Sequence, residues 1–206
     1  MTTSGQIEPA PPDASPLPPS PPGRRTLGPA VASFDRWADQ ALERVRGHTV
    51  PDAVFLAASR LGDFSLIWHL VNTTRGLTSD RRARQVTALA IALGIESLVV
   101  NQGLKRLFRR QRPTVHGDPR LPVRKPLTSA FPSGHASSAA FTATILTAWD
   151  GPRSAPLWWA LAGTVAKSRA YVRIHHASDV VAGMAVGTVL GLMAVRVLRR
   201  LGISRP

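Results

Sequence analysis

The sequence predicts an all-α protein, an integral-membrane helical bundle preceded by a disordered proline-rich tail. Three observations carry this reading. Residues 85–104 hold one formal charge, Glu96, between Arg84 and Lys105, and that length of helix spans about 30 Å, the thickness of a bilayer's hydrocarbon core. Residues 180–195 form a second apolar run, between Asp179 and Arg196. Eight of the eighteen prolines fall within residues 1–22, among Ser and Gly and almost no large apolar residue, a composition that cannot bury a core. At 206 residues, with no evident repeat, the remainder suits one domain. The division is therefore a tail at 1–28 and a membrane-embedded domain at 29–206.

Each element follows in turn. The tail lacks a basic stretch followed by an apolar one, so it does not read as a signal peptide, and insertion must come from later segments. From Ala30 to Arg46, Val31, Phe34, Trp37, Ala38, Ala41, Leu42 and Val45 recur at three- and four-residue spacing, which predicts an amphipathic helix. Such a helix can lie in the headgroup plane or pack on its neighbours. Residues 50–73 are apolar but carry Asp52, Arg60, Asp63 and His69, which predicts a buried or partly inserted helix in place of a simple span. Within 85–104, Glu96 is expected to face the protein interior and to pair with an Arg or His of a neighbouring helix.

Gly134 to Trp149 holds no acid, lysine or arginine, and places His135 in the first turn of the helix it predicts. Ser154 to Ala166 is apolar but only thirteen residues long, marginal for a span, with Trp158 and Trp159 suited to a membrane interface. In the last run Gly183, Gly187 and Gly191 recur every four residues, leaving one helix face as bare backbone. That face serves close packing within the chain or, as the second possibility, a homodimer contact.

Charge narrows the function. Lys+Arg 26 against Asp+Glu 12 gives a net charge of +14, nearly all of the excess from arginine. Nucleic acid, anionic lipid or a phosphorylated substrate would each fit such a balance. The cations fall at the borders of apolar segments and not in one basic stripe, which favours membrane edges and phosphate capture and argues against nucleic acid. Cysteine is absent, so there is no disulfide and no thiolate metal site.

Three stretches carry chemistry. Lys105 and Arg112-Pro113 are separated by six residues in a basic run; Pro132-Ser133-Gly134-His135 opens an uncharged segment; and Ser168-Arg169 is followed by His175 and Asp179. If the chain turns helical near His175, Asp179 shares its face and can accept the Nδ1 proton, leaving the far nitrogen a lone pair. In order, these stretches resemble the signatures of the type 2 phosphatidic acid phosphatase family, K-x6-R-P, P-S-G-H and S-R-x5-H-x3-D, over residues of about 100–195.

The resemblance implies a lipid phosphate phosphatase with its active site at one membrane face. Lys105, Arg112 and Arg169 would clamp the phosphoryl oxygens, with Ser133 and the amides near Gly134 at a helix N-terminus. His175 would be the nucleophile, oriented by Asp179, and would form a phosphohistidine; His135 would protonate the leaving oxygen and then activate water. No cofactor and no metal is implied, since the cations do the neutralising. His176 and Arg173 fall outside the signatures, and Arg109 and Arg110 are at best outer neighbours of the site. Soluble acid phosphatases share the same residues, but the apolar runs favour a lipid phosphate, a polyprenyl phosphate or diphosphate ahead of phosphatidate or phosphatidylglycerol phosphate. A non-enzymatic arginine-rich membrane- or nucleic-acid-binding protein would explain the charge but not the ordered signatures. Arg75, Arg81, Arg82 and Arg84 before the first span, and Arg196, Arg199, Arg200 and Arg205 after the last, predict a plasma-membrane protein whose site is extracytoplasmic, provided residues 85–104, 134–149, 154–166 and 180–195 all cross.

Overall fold

The computed structural model describes residues 27–114, 118–124 and 128–203. All but the last two residues of the expected tail, and Arg205, lie outside the described residues. The described chain is helical and contains no strand. Its helices are α1 (Pro29–Glu43), α2 (Thr49–Leu61), α3 (Leu66–Gly76), α4 (Asp80–Leu107), α5 (Gly134–Asp150), α6 (Ala155–Tyr171) and α7 (Ala177–Arg200).

Helix α5 is the axis of the bundle. Its residues from Ala136 to Leu146 are all buried, which is why the segment carries small and uncharged side chains on every face. Helices α7 and α6 pack most closely on it. The glycine stripe of α7 makes the approach possible: a Cβ at Gly187 would collide with the Ser137 carbonyl, and one at Gly191 would lie 2.9 Å from Thr144 Cβ. Packing within the chain is thus the use the stripe receives, and Gly183, Gly187 and Gly191 are buried, so they leave no surface for the homodimer contact.

Around this axis the outward faces are apolar. Ile91, Ile95 and Leu98 on α4, and Val189, Met193 and Val197 on α7, are all exposed, side chains that lipid solvates and water does not. Helices α4, with 28 residues, and α7, with 24, are long and apolar enough to cross a membrane, as the sequence predicts. The segment at 50–73 departs from the single helix expected. It is two helices, α2 and α3, bent by 72° at Gly62, which together pass the same test of length and composition. The third apolar run is also longer than expected: α6 continues through Ser168 and Arg169 to Tyr171, 17 residues in all, because these polar side chains turn inward and are buried.

The two ends of the bundle differ. At one, Arg75 donates to Asp150 at the end of α5, and the Trp149 indole donates to the Ile203 carbonyl at 3.0 Å, which gathers the α3–α4 turn and the C-terminal turn of the chain. At the other lie the start of α5, the ends of α4 and α6, the start of α7 and the loops that carry the three signatures. Helix α1 lies against this second end with Leu42 packed on the core and Asp35 buried, while its aromatic residues face outward: Trp37 is 65% exposed and stacks with Phe34. An outward apolar face on a helix at this level fits the headgroup plane better than a packed core.

Candidate active site

The third signature is wound into a tight turn. His175 N–H and Ile174 N–H both donate to the Arg169 carbonyl, at 3.1 and 3.2 Å, and Arg173, just before Ile174, takes a left-handed φ of 57°. The second signature is tied to the third through the main chain, Ser133 N–H donating to the Asp179 carbonyl at 3.0 Å. Ser133 caps α5, its Oγ accepting from Ala136 N–H, as expected of a serine at a helix start. The first signature closes over both: Arg112 donates to the Ile174 carbonyl at 2.7 Å and to the Thr128 carbonyl at 3.1 Å, and the Lys105 ammonium lies 3.4 Å from Thr128 Oγ1.

The structure therefore brings the expected residues together. A cavity of about 630 Å³ is lined by Lys105, Gly134, His135 and His175, with Glu96 and Asn101 on its α4 wall. Gly134 is needed here: a Cβ would meet Asn101 Oδ1 at 3.0 Å and Lys105 Nζ at 3.5 Å. Arg169 is wholly buried beside this space. Its Nη1 donates to Ser59, while Nε and Nη2 have no hydrogen-bond partner. Leaving a buried donor unmet costs about 1–3 kcal/mol, more for a charged group, so these positions suit an anion.

The protonation of His175 follows from its neighbours. Arg112 Nη1 lies 3.1 Å from Nε2, and a guanidinium can only donate, so Nε2 carries the lone pair and Nδ1 the proton. Burial pushes the ring down to about 3, helped by the charge of Arg112 and opposed by Asp179, so the imidazole is neutral at ordinary pH.

Asp179 is less simply placed than the spacing predicts. Its Oδ2 stands 3.7 Å from His175 Nδ1, beyond hydrogen-bond reach, but 3.2 Å from His176 Nδ1 and 2.8 Å from the His176 N–H it caps. Its Oδ1 accepts from Arg110 at 2.5 Å. Arg110, expected as an outer neighbour, thus holds the carboxylate directly and links it to Asp35 of α1, which also accepts from Ser178. Arg173, outside the signatures, is taken up by Asp39 and Glu43 of α1 and by Asp118. Glu96 faces inward as expected, but its partner is Ser137, whose Oγ donates at 2.5 Å, and not an Arg or His.

One residue of the site has no sequence signal. Asp63, at the bend between α2 and α3, lies 3.0 Å from His135 Nε2 and 3.9 Å from Arg169. It is one acid in an apolar stretch, 72 residues from the histidine it meets, with no spacing to connect them.

Fold and cluster define a class: a membrane-embedded helical bundle with two histidines and a clamp of cations gathered at one end. The PAP2 superfamily model matches residues 85–203, and the chain belongs to that superfamily. It is 32% identical over 134 residues to decaprenylphosphoryl-5-phosphoribose phosphatase of Mycobacterium tuberculosis, covering 65% of this chain and 72% of that one. It is 30% identical over 123 residues to the putative undecaprenyl-diphosphatase YbjG of Escherichia coli, covering 60% of each. Among solved structures, a transmembrane PAP2-type phosphatidylglycerolphosphate phosphatase from Bacillus subtilis superposes with a TM-score of 0.67 at 21% identity, over 85% of this chain and 89% of that one. Aquifex aeolicus LpxE gives 0.64 at 21% identity, over 82% and 97%. The fold is shared with both.

Proposed function

We propose that the protein is a membrane lipid-phosphate phosphatase that works through a phosphohistidine, with residues 29–206 as its single catalytic domain. The observation that carries this is Arg169, buried with two unmet donors beside the Arg112–His175 pair. A phosphoryl group supplies the missing acceptors. Arg169, Arg112 and Lys105 then spread over its oxygens, with Ser133 and the Gly134 amide at the N-terminus of α5. As the phosphoryl oxygens draw Arg112 away, Nε2 of His175 is freed as a neutral nucleophile in line with the phosphorus. Asp179 closes on Nδ1–H as positive charge builds on the ring, a tightening common when a substrate binds.

The remaining steps fall to His135. It gives a proton to the leaving oxygen as the P–O bond breaks, and takes one from the water that cleaves the P–N bond. Three cations supply the neutralisation that a divalent ion supplies in other phosphoryl-transfer sites, so turnover needs no added metal. A polyprenyl phosphate or diphosphate is the favoured substrate. Two relatives carry decaprenyl and undecaprenyl in their names, and the cavity is far larger than a phosphate. Phosphatidate and phosphatidylglycerol phosphate come next. The site lies on the extracytoplasmic face of the plasma membrane.

Phosphate release from a panel of these lipids in detergent, with EDTA present, tests the reading. Turnover is expected on a polyprenyl ester, and none in His175→Ala. Arg169→Lys should lose about 10²-fold in kcat/KM, because an ammonium cannot make the forked contact. Full activity in His175→Ala, or a strong preference for a water-soluble phosphate ester, would overturn it.

A further inference from the structure

We propose that Asp63 is a positioning residue for His135, forming a second carboxylate–histidine pair that fixes the general acid as Asp179 fixes the nucleophile. The inference rests on the reading of His135 given above. Asp63 comes from the bend between α2 and α3, outside the three signatures and outside residues 85–203 that define the superfamily match.

The contact is direct. Asp63 Oδ1 lies 3.0 Å from His135 Nε2, shorter than the 3.7 Å between Asp179 and His175. An ionised carboxylate only accepts, so Nε2 carries a proton and Nδ1 is the nitrogen left to exchange one. When Nδ1 is also protonated, the adjacent carboxylate stabilises the imidazolium. As the phosphorus–oxygen bond breaks, the Nδ1 proton passes to the leaving oxygen and the ring returns to neutral, still held at Nε2. In the second half the same nitrogen takes a proton from water.

The backbone is shaped around this contact. A Cβ at Gly62 would stand 2.6 Å from His135 Cδ2, so only glycine lets the bend come this near. Phe64 and Ser65, which follow, both take left-handed backbone, with φ of 53° and 59°. Two consecutive residues without glycine in that region are costly and are held where the surroundings demand it. The bend sets Asp63 against His135 and leaves Phe64 81% exposed, a poor outcome if burial alone decided its course.

A carboxylate near Arg169 could instead serve only to balance that charge, and the test separates the two roles. Loss of general-acid catalysis harms esters with poor leaving groups far more than those with good ones. Full-length protein in detergent is assayed on an alkyl phosphate and on p-nitrophenyl phosphate. For Asp63→Asn we expect kcat/KM, which reports only the steps up to the phosphohistidine, to fall about 10²-fold on the alkyl ester and less than threefold on the aryl ester, with inhibition by inorganic phosphate unchanged, and partial rescue in Asp63→Glu. Equal losses of kcat/KM on both esters, or a rise in the phosphate inhibition constant with no difference between the esters, would assign Asp63 to the charge of Arg169 and overturn the proposal. Unchanged kinetics would do so too. His175→Ala in the same assay keeps the two readings apart: if it retains turnover, the phosphohistidine reading fails, whatever Asp63→Asn does.

Discussion

Asp179 Oδ2 sits 3.7 Å from the ring nitrogen of His175 and 3.2 Å from that of His176, so one carboxylate stands between two adjacent imidazoles. Geometry and chemistry pull in opposite directions here. His176 is the nearer ring, but it is partly exposed and caps α7, whereas His175 is buried and its Nε2 meets Arg112. If His175 is the working ring, His176→Ala should keep activity within about threefold, because the main-chain N–H that holds Asp179 is retained. Asp179→Asn should lower kcat by about 10³–10⁴-fold through loss of tautomer control. Steady-state phosphate release measures both. A His176→Ala variant as inactive as His175→Ala would transfer the nucleophile's role to the neighbour.

The packing of α5 on α7 gives a prediction about stability. A side chain at Gly187 must push into the Ser137 carbonyl, two residues after His135 on α5. Gly187→Val should cost about 3 kcal/mol, the upper range for overpacking, and should lower activity by shifting the start of α5. Gly163 on α6 is the control: nothing lies within 4 Å of its Cβ position, so Gly163→Ala should be neutral or gain about 0.5–1 kcal/mol from helix propensity. Thermal unfolding in detergent compares them, and equal midpoints for Gly187→Val and Gly163→Ala would refute the close contact.

Much of this was legible in the sequence because it depends on residue type at short spacing. The eleven positions of the three signatures, the run at 85–104 and the glycine period of α7 are all local patterns. What was hidden depends on contacts between distant segments. The pairing of Arg110 with Asp179 looked like basic filler, since a hydrogen bond across 69 residues has no periodicity. Asp63 looked like an expensive charge in a poor span, when the bend at Gly62 in fact carries it to His135. The end of α6 was misjudged for a related reason: hydropathy stops at Ala166, but the helix continues by burying Ser168 and Arg169 in the site. In α1 the amphipathic pattern was real, but Phe34 and Trp37 point outward, because part of the buried side answers to Arg110 and Ser178 through Asp35.

The buried state of His175 sets a pH dependence with a definite sign. Its folded pKa is about 3, against an ordinary value near 6.5, so between those values the unfolded chain binds a proton that the folded chain does not. Stability therefore falls as pH drops below about 6.5, at a slope of up to about 1.4 kcal/mol per pH unit from this group. Carboxylates held low by arginines, such as Asp118 beside Arg120, add to the loss only at lower pH, and comparison with His175→Gln separates this ring from the other groups that titrate in the window from pH 6.5 to 5. Thermal midpoints of His175→Gln should fall less across that window than those of the wild type. An identical fall would mean that His175 is not shielded from protonation.

The last prediction concerns which way the bundle sits. Arg75, Arg82 and Arg84 gather at one end, near Asp150 and the C-terminal turn, while the histidines lie at the other. Arginines that serve no chemistry collect on the cytoplasmic side. Arg75 is weakened as a topology signal because it is paired to Asp150, but Arg196, Arg199 and Arg200 at the same end keep the bias. The scheme needs α6 to cross, and its 17 residues reach about 26 Å, enough for a slightly thinned bilayer. Cysteines introduced at Pro122, exposed beside the site, and at Leu201, 66% exposed after α7, test it in this cysteine-free chain. An impermeant thiol reagent on intact cells should label Pro122→Cys and spare Leu201→Cys until the membrane is opened. The reverse pattern would put His135 and His175 on the cytoplasmic side and exclude substrates presented at the outer surface.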